Sequence, residues 1–176
     1  MEIEPDTKDW TWVLEKPCPE CGLDTRQIRR EDVPRLLRDV AASWATVLED
    51  REDVRTRPSP QVWSPLEYAC HVRDVFRLYD QRLERMLGEE DPLYQNWDQD
   101  AAAITGRYGE QDPARVRSEL SAAADDLAAR FERVREGEWE RPGRRSDGAQ
   151  FTVETFARYL IHDPIHHLHD VNGPPR

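Results

Sequence analysis

Four stretches of this chain carry apolar side chains three and four residues apart, and turn or cap residues bound each stretch. That spacing follows the 3.6-residue helical turn, so the chain is constrained to pack as amphipathic helices. The sharpest boundary is Ser64-Pro65-Leu66-Glu67. It reads as N-cap, N1, N2 and N3, with the serine and glutamate of a capping box. From there Tyr68, Val72, Val75, Phe76, Tyr79, Leu83, Met86 and Leu87 form a broad apolar arc to Gly88, a C-cap signal. An earlier helix is predicted from about Asp32 to Glu49, with Pro34 in its first turn. A third opens on Asp112-Pro113 and is predicted to close at Gly137. A fourth runs from the N-cap Thr152 to about Asp170, before Asn172-Gly173-Pro174-Pro175.

With no convincing strand series, the fold class expected is all-α, a four-helix bundle over residues 32–172. Residues 1–31 lack a helical period and read as an N-terminal arm packed on that bundle. The connection 88–112 sets seven acidic residues against Arg107 and suggests a short helix over Trp97–Ile104. A connection of that length is often functional.

Composition narrows the function classes. Net charge is −11, with 36 acidic and 25 basic residues, which argues against a nucleic-acid partner. No stretch approaches the roughly 20 apolar residues of a membrane span. The acidic start MEIEPDTKDW does not read as a signal peptide, and an odd three cysteines do not make a secreted disulfide framework. A cytoplasmic protein without a membrane partner is the expectation.

All five histidines fall on two helices: His71 on the second, and His162, His166, His167 and His169 on the fourth. With about 100° per residue, His166 lies about 40° from His162, and His167 about 140° away. His162 and His166 therefore share a face suited to one ion, as in HExxH helices, but the glutamate base of that motif is missing. Bundles build metal sites from facing helices. His71, at the border of its apolar arc, is the expected third ligand, giving the set His71, His162 and His166. Three imidazoles suit Zn or Ni first, with open positions for water or substrate. His169 is placed as an outer or substrate contact. Pro164 sits between the ligand pair and is expected to kink the helix.

The run Trp63-Ser64-Pro65-Leu66-Glu67-Tyr68-Ala69-Cys70-His71, with His162-Asp163-Pro164-Ile165-His166-His167 far downstream, resembles the DinB-like superfamily. That superfamily includes mycothiol- and bacillithiol-dependent S-transferases and a mycothiol-dependent maleylpyruvate isomerase. The resemblance spans about residues 30–172. It implies a bundle metal on His71, His162 and His166, and a thiol S-transferase acting on a small-molecule thiol and an electrophile. The arginine excess, 23 against Lys8 and Lys16, fits a GC-rich genome and makes mycothiol the matching thiol. Where relatives often carry a glutamine three residues after the last ligand, this chain has His169.

A metal bound by neutral ligands lowers the pKa of a coordinated thiol, so no protein nucleophile is required. Arg141, Arg144 and Arg145 precede the fourth helix and are candidates for holding cofactor carboxylates, with a solvated loop as the plain alternative. The other functional readings are a metal-dependent hydrolase, a non-catalytic metal- or ligand-binding stress-response bundle, and a structural dimer without metal; a homodimer is compatible with each.

Pro17-Cys18-Pro19-Glu20-Cys21-Gly22 resembles one knuckle of a zinc ribbon, and no second cysteine pair follows. Three readings stay open: reduced thiols shaping a turn, a reversible disulfide, or half of a metal site shared between subunits. Cys70 is expected to face helix packing.

Overall fold

The computed structural model describes Ile3 and residues 9–173. The arm from Asp9 to Asp32 is built of short 3-10 turns at Thr11–Leu14, Thr25–Gln27 and Arg30–Asp32. The elements that follow are α1 (Val33–Asp50), α2 (Pro65–Gly88), β1 (Leu93–Tyr94), α3 (Gln99–Thr105), α4 (Pro113–Glu132), β2 (Pro142–Arg145), β3 (Gln150–Thr152) and α5 (Val153–Asn172). The four long helices pack in the cyclic order α1–α4–α2–α5, and the arm lies along α5.

Three of the long helices, α2, α4 and α5, start on side-chain caps. At α2 the Ser64 hydroxyl accepts from the Glu67 N–H at 3.3 Å, and Glu67 Oε2 accepts from the Ser64 N–H at 2.8 Å. Glu67 is further gripped by Arg57, whose Nε donates to Oε2 at 2.9 Å. Asp112 caps α4 through the Arg115 N–H at 2.8 Å, and Thr152 with Thr155 forms the reciprocal cap of α5. These bonds satisfy N–H groups that the helix itself leaves open.

The apolar stripes meet in one core, in which Leu37, Trp44, Leu66, Phe76, Leu127 and Phe156 are almost completely buried. The Trp44 indole N–H cannot reach water there and donates to the Pro164 carbonyl at 3.1 Å. The helix continues through Pro164 to Asn172.

The structure departs from the expectation in two places. First, α4 ends at Glu132, before Gly137, because Val134 turns the chain and a 3-10 turn takes Glu136–Glu138. Second, a three-stranded sheet joins the long connection to the segment before α5. Here β2 pairs in parallel with β1 and antiparallel with β3. Gly143 lets β2 cross the end of α2, since a Cβ there would stand 2.8 Å from the Met86 side chain. Gly148, at φ +97°, forms the hairpin turn. Short strands held by tertiary packing leave little periodic signal. None of the helices of the described residues is long and apolar enough to cross a membrane.

Candidate metal centre

Helices α2 and α5 bound a cleft of about 800 Å³, whose walls include Trp10 of the arm and Trp97 of the long connection. Two interleaved pairs on α5 define its chemistry. Asp163 and His167, one helical turn apart, turn toward α2. His162 and His166, also one turn apart, turn toward the arm.

The first pair meets His71. His71 Nε2 lies 3.4 Å from Asp163 Oδ1, and His167 Nε2 lies 3.6 Å from the same oxygen. One donor atom from each residue fits within a sphere of contacts no wider than 4.8 Å. His71 is buried and held between Trp63 and Trp97, with ring centroids at 5.4 and 5.5 Å. His167 Nδ1 is 2.9 Å from Asp170 Oδ2. A proton on Nδ1 satisfies that carboxylate and leaves the Nε2 lone pair aimed at Asp163.

Two acceptors in that position need a cation between them. In the metal-free protein a proton serves. Burial disfavours a charged His167, but Asp163 and Asp170 outweigh it and push its pKa up to about 9. Asp163, despite its own desolvation, is held well below the usual carboxylate range by His71 and His167. Asp163 Oδ2 and His71 Nδ1 are buried without a hydrogen-bond partner. Two imidazoles, a carboxylate and an unfilled polar demand fit a divalent cation of the Zn, Ni, Mn or Fe class, with positions left open toward the cleft.

The second pair meets the arm. His162 and His166 are buried, with centroids 5.0 Å apart, beneath Trp10. Cys18 Sγ lies 3.7 Å from His166 Nδ1, and Cys21 completes a group of four donors. Burial lowers the His162 pKa to about 4, so its imidazole is neutral.

A family model of the DinB superfamily matches residues 35–171. The chain belongs to the DinB superfamily. Its fold is similar to that of YfiT from Bacillus subtilis, which is described as a probable metal-dependent hydrolase with an unusual four-helix bundle topology. The TM-score is 0.73 at 18% identity, over 89% of each chain. No curated protein matches the sequence.

Within this DinB-superfamily bundle the expected trio, His71, His162 and His166, all lines the cleft, and the nearest donors of its members differ. His71 meets Asp163 and His167, while His162 and His166 meet Cys18 and Cys21. Asp163 and His167 lie toward His71 of α2, and His162 and His166 lie toward the arm. Asp163 is a carboxylate among imidazoles, and its i, i+4 spacing to His167 is the signal that the sequence carries for it.

Of the other candidates, Arg141, Arg144 and His169 lie outside the cleft wall. Arg141 donates to the Met86 and Glu89 carbonyls at 2.7 Å each, closing the C-terminus of α2. Arg144 pairs with Asp91 at 2.9 Å on the surface. His169 is half-buried beyond His166, with ring centroids 6.4 Å apart. Of the three candidate arginines Arg145 faces the cleft, held by Asp147 at 2.9 Å and by the Tyr159 hydroxyl at 3.3 Å. Arg82 joins it on the wall and stacks over Tyr94 at 4.5 Å. Cys70 is buried in helix packing, with its sulfur 3.8 Å from the Tyr108 carbonyl.

Proposed function

We propose that this protein is a metal-dependent hydrolase whose divalent cation is held by His71, Asp163 and His167. The observation that carries this reading is the convergence of three donors on one point at the edge of an open cleft, with His167 Nε2 and Asp163 Oδ1 opposed. Two histidines with one carboxylate is a donor set that catalytic zinc hydrolases use. A cation bound there supplies Lewis acidity, lowering the pKa of a coordinated nucleophile and polarising a substrate oxygen. The description of YfiT as a probable metal-dependent hydrolase agrees with this reading.

The chain's own residues do the remaining work. Asp170 fixes the His167 ring and its tautomer. Trp63 and Trp97 clamp His71 and shield it from water. Arg145 and Arg82 present fixed positive charge across the cleft, suited to orienting an anionic group of the substrate.

The second reading is a thiol S-transferase using mycothiol or a similar small thiol. Cleft size favours it, since about 800 Å³ accommodates a thiol cofactor beside an electrophile. The test loads the full chain with Zn²⁺, Ni²⁺ or Mn²⁺ and follows ester, amide and carbamate hydrolysis with and without added thiol. Hydrolysis predicts thiol-independent turnover that falls at least about 100-fold in Asp163→Ala. Strict thiol dependence, with one thiol consumed per product, would replace the leading reading with the second.

A further inference from the structure

Cys18, Cys21, His162 and His166 take no part in the cleft reading, yet they form the most enclosed donor cluster among the described residues. The CxxC pair lacks a second cysteine pair, and the structure supplies two histidines instead, with Cys18 and His166 separated by 148 positions. Cys18, His162 and His166 are buried and Cys21 is half-buried; four donor atoms, one from each, lie within 4.8 Å of one another.

The spacing suits a tetrahedral ion. Zinc bonds of about 2.3 Å to sulfur and about 2.05 Å to nitrogen put adjacent S and N donors about 3.6 Å apart. The Cys18 Sγ to His166 Nδ1 separation is 3.7 Å. His162 Nε2 is buried with no hydrogen-bond partner, an atom that protein groups leave unsatisfied. The opposite nitrogen of His166, Nε2, faces Glu20 at 3.6 Å and Asp170 at 3.8 Å. Those carboxylates are the outer partners that orient a metal-bound imidazole and leave Nδ1 as the donor.

The turn itself is preformed. The Gly22 N–H donates to the Cys18 carbonyl at 2.9 Å, the Cys18 N–H to the Leu23 carbonyl at 2.9 Å, and Gly22 takes φ +77°.

We infer that Cys18, Cys21, His162 and His166 bind a structural Zn²⁺ ion that fastens the N-terminal arm to α5, separately from the cleft metal. Four protein ligands close the coordination sphere, which marks the site as structural rather than catalytic. Binding converts both thiols to thiolates and releases their two protons to solvent, with no change of oxidation state. The ion fixes Trp10, which stands over both histidine rings and lines the cleft. The arm thus becomes part of the cleft wall.

Metal-free, reduced full-length protein carrying His71→Ala and His167→Ala, which lacks the cleft set, tests this directly. Titration with Co²⁺ should give one equivalent, with a near-ultraviolet sulfur-to-cobalt charge-transfer band and tetrahedral visible bands. Zn²⁺ should abolish both bands and slow alkylation of Cys18 and Cys21 at least tenfold. Wild type should show the same thiolate band, so the outcome does not depend on the folding of the double variant. Cobalt binding without a thiolate band in both proteins, or equal alkylation with and without Zn²⁺, would overturn the inference. Recovery of a Cys18–Cys21 disulfide with no metal uptake after reduction would overturn it too.

Discussion

Asp163 and His167 occupy the same two turns of α5 as His162 and His166, and the two pairs differ by one residue in register. One residue is about 100° of helix. That rotation points the first pair at His71 across a wet cleft and the second at Cys18 and Cys21 under a tryptophan lid. One set has three donors, while the other has four, with Cys18 buried and Cys21 half-buried behind two histidines that also line the cleft. The lesson is that an i, i+4 pair of donors takes its partners from the element it faces: α2 gives one pair His71, and the arm gives the other Cys18 and Cys21.

The largest expected effect lies at the cleft. Asp163→Ala removes the oxygen shared by both imidazoles, and cleft metal affinity should fall by at least about 100-fold, beyond the 10–100-fold typical of losing an outer partner. Elemental analysis should then show one metal retained, held by the arm cluster. Loss of both metals in this variant would erase the distinction between the two sets.

Next is the arm. A ligand at 1,000 times its dissociation constant stabilises the folded state by about 4 kcal/mol. With roughly 2–4 °C per kcal/mol for a chain of this size, a chelator that strips zinc should lower the wild-type melting temperature by roughly 10 °C. Cys18→Ser should start lower and respond less to the chelator, since only the proposed cleft ion is left to strip. If wild type and Cys18→Ser respond equally, the arm cluster is not a clasp.

Asp170→Asn should act on the cleft more gently. It keeps the shape and removes the charge behind His167, so cleft affinity should fall about 10–100-fold. Isothermal titration with Zn²⁺ in the Cys18→Ser background isolates that change. An unaltered affinity would mean that Asp170 does not orient His167.

The smallest effect concerns the helix that carries His71. Burial raises the Glu67 pKa, but Arg57 and the Ser64 cap outweigh it and hold it below its ordinary value. A depressed folded pKa contributes stability above the unfolded value of about 4.3, and that contribution is lost as pH falls through the folded pKa. Glu67→Gln should therefore cost about 1 kcal/mol at pH 7 and progressively less below pH 4. Urea melts at both ends of that range check it; a constant difference would remove the charge from the account of the cap.

The sequence made the helices legible where their starts are local. Ser64, Asp112 and Thr152 sit where a side-chain cap belongs, and the structure uses all three. It left the sheet unreadable, since β1 has two residues and β2 depends on Gly143 passing Met86. At the site, residue types and helices were legible: His71 on α2 and a histidine-rich turn on α5. Which face of α5 meets α2 was not, because that follows from where a distant arm packs. Cys18 and His166 are neighbours only after folding. No periodicity within α5 points to the arm, and the CxxC motif alone names half a site.

Asp170 gives one carboxylate two duties. Its Oδ2 sits 2.9 Å from His167 Nδ1, and its Oδ1 faces His166 Nε2 at 3.8 Å. An ion that draws electron density from either ring strengthens that ring's hold on Asp170 and alters what remains for the other. Linkage makes the exchange reciprocal: whatever factor the arm ion imposes on cleft affinity, the cleft ion imposes on the arm. With both proposed ions bound, Asp170 would be the carboxylate through which either one is felt at the other.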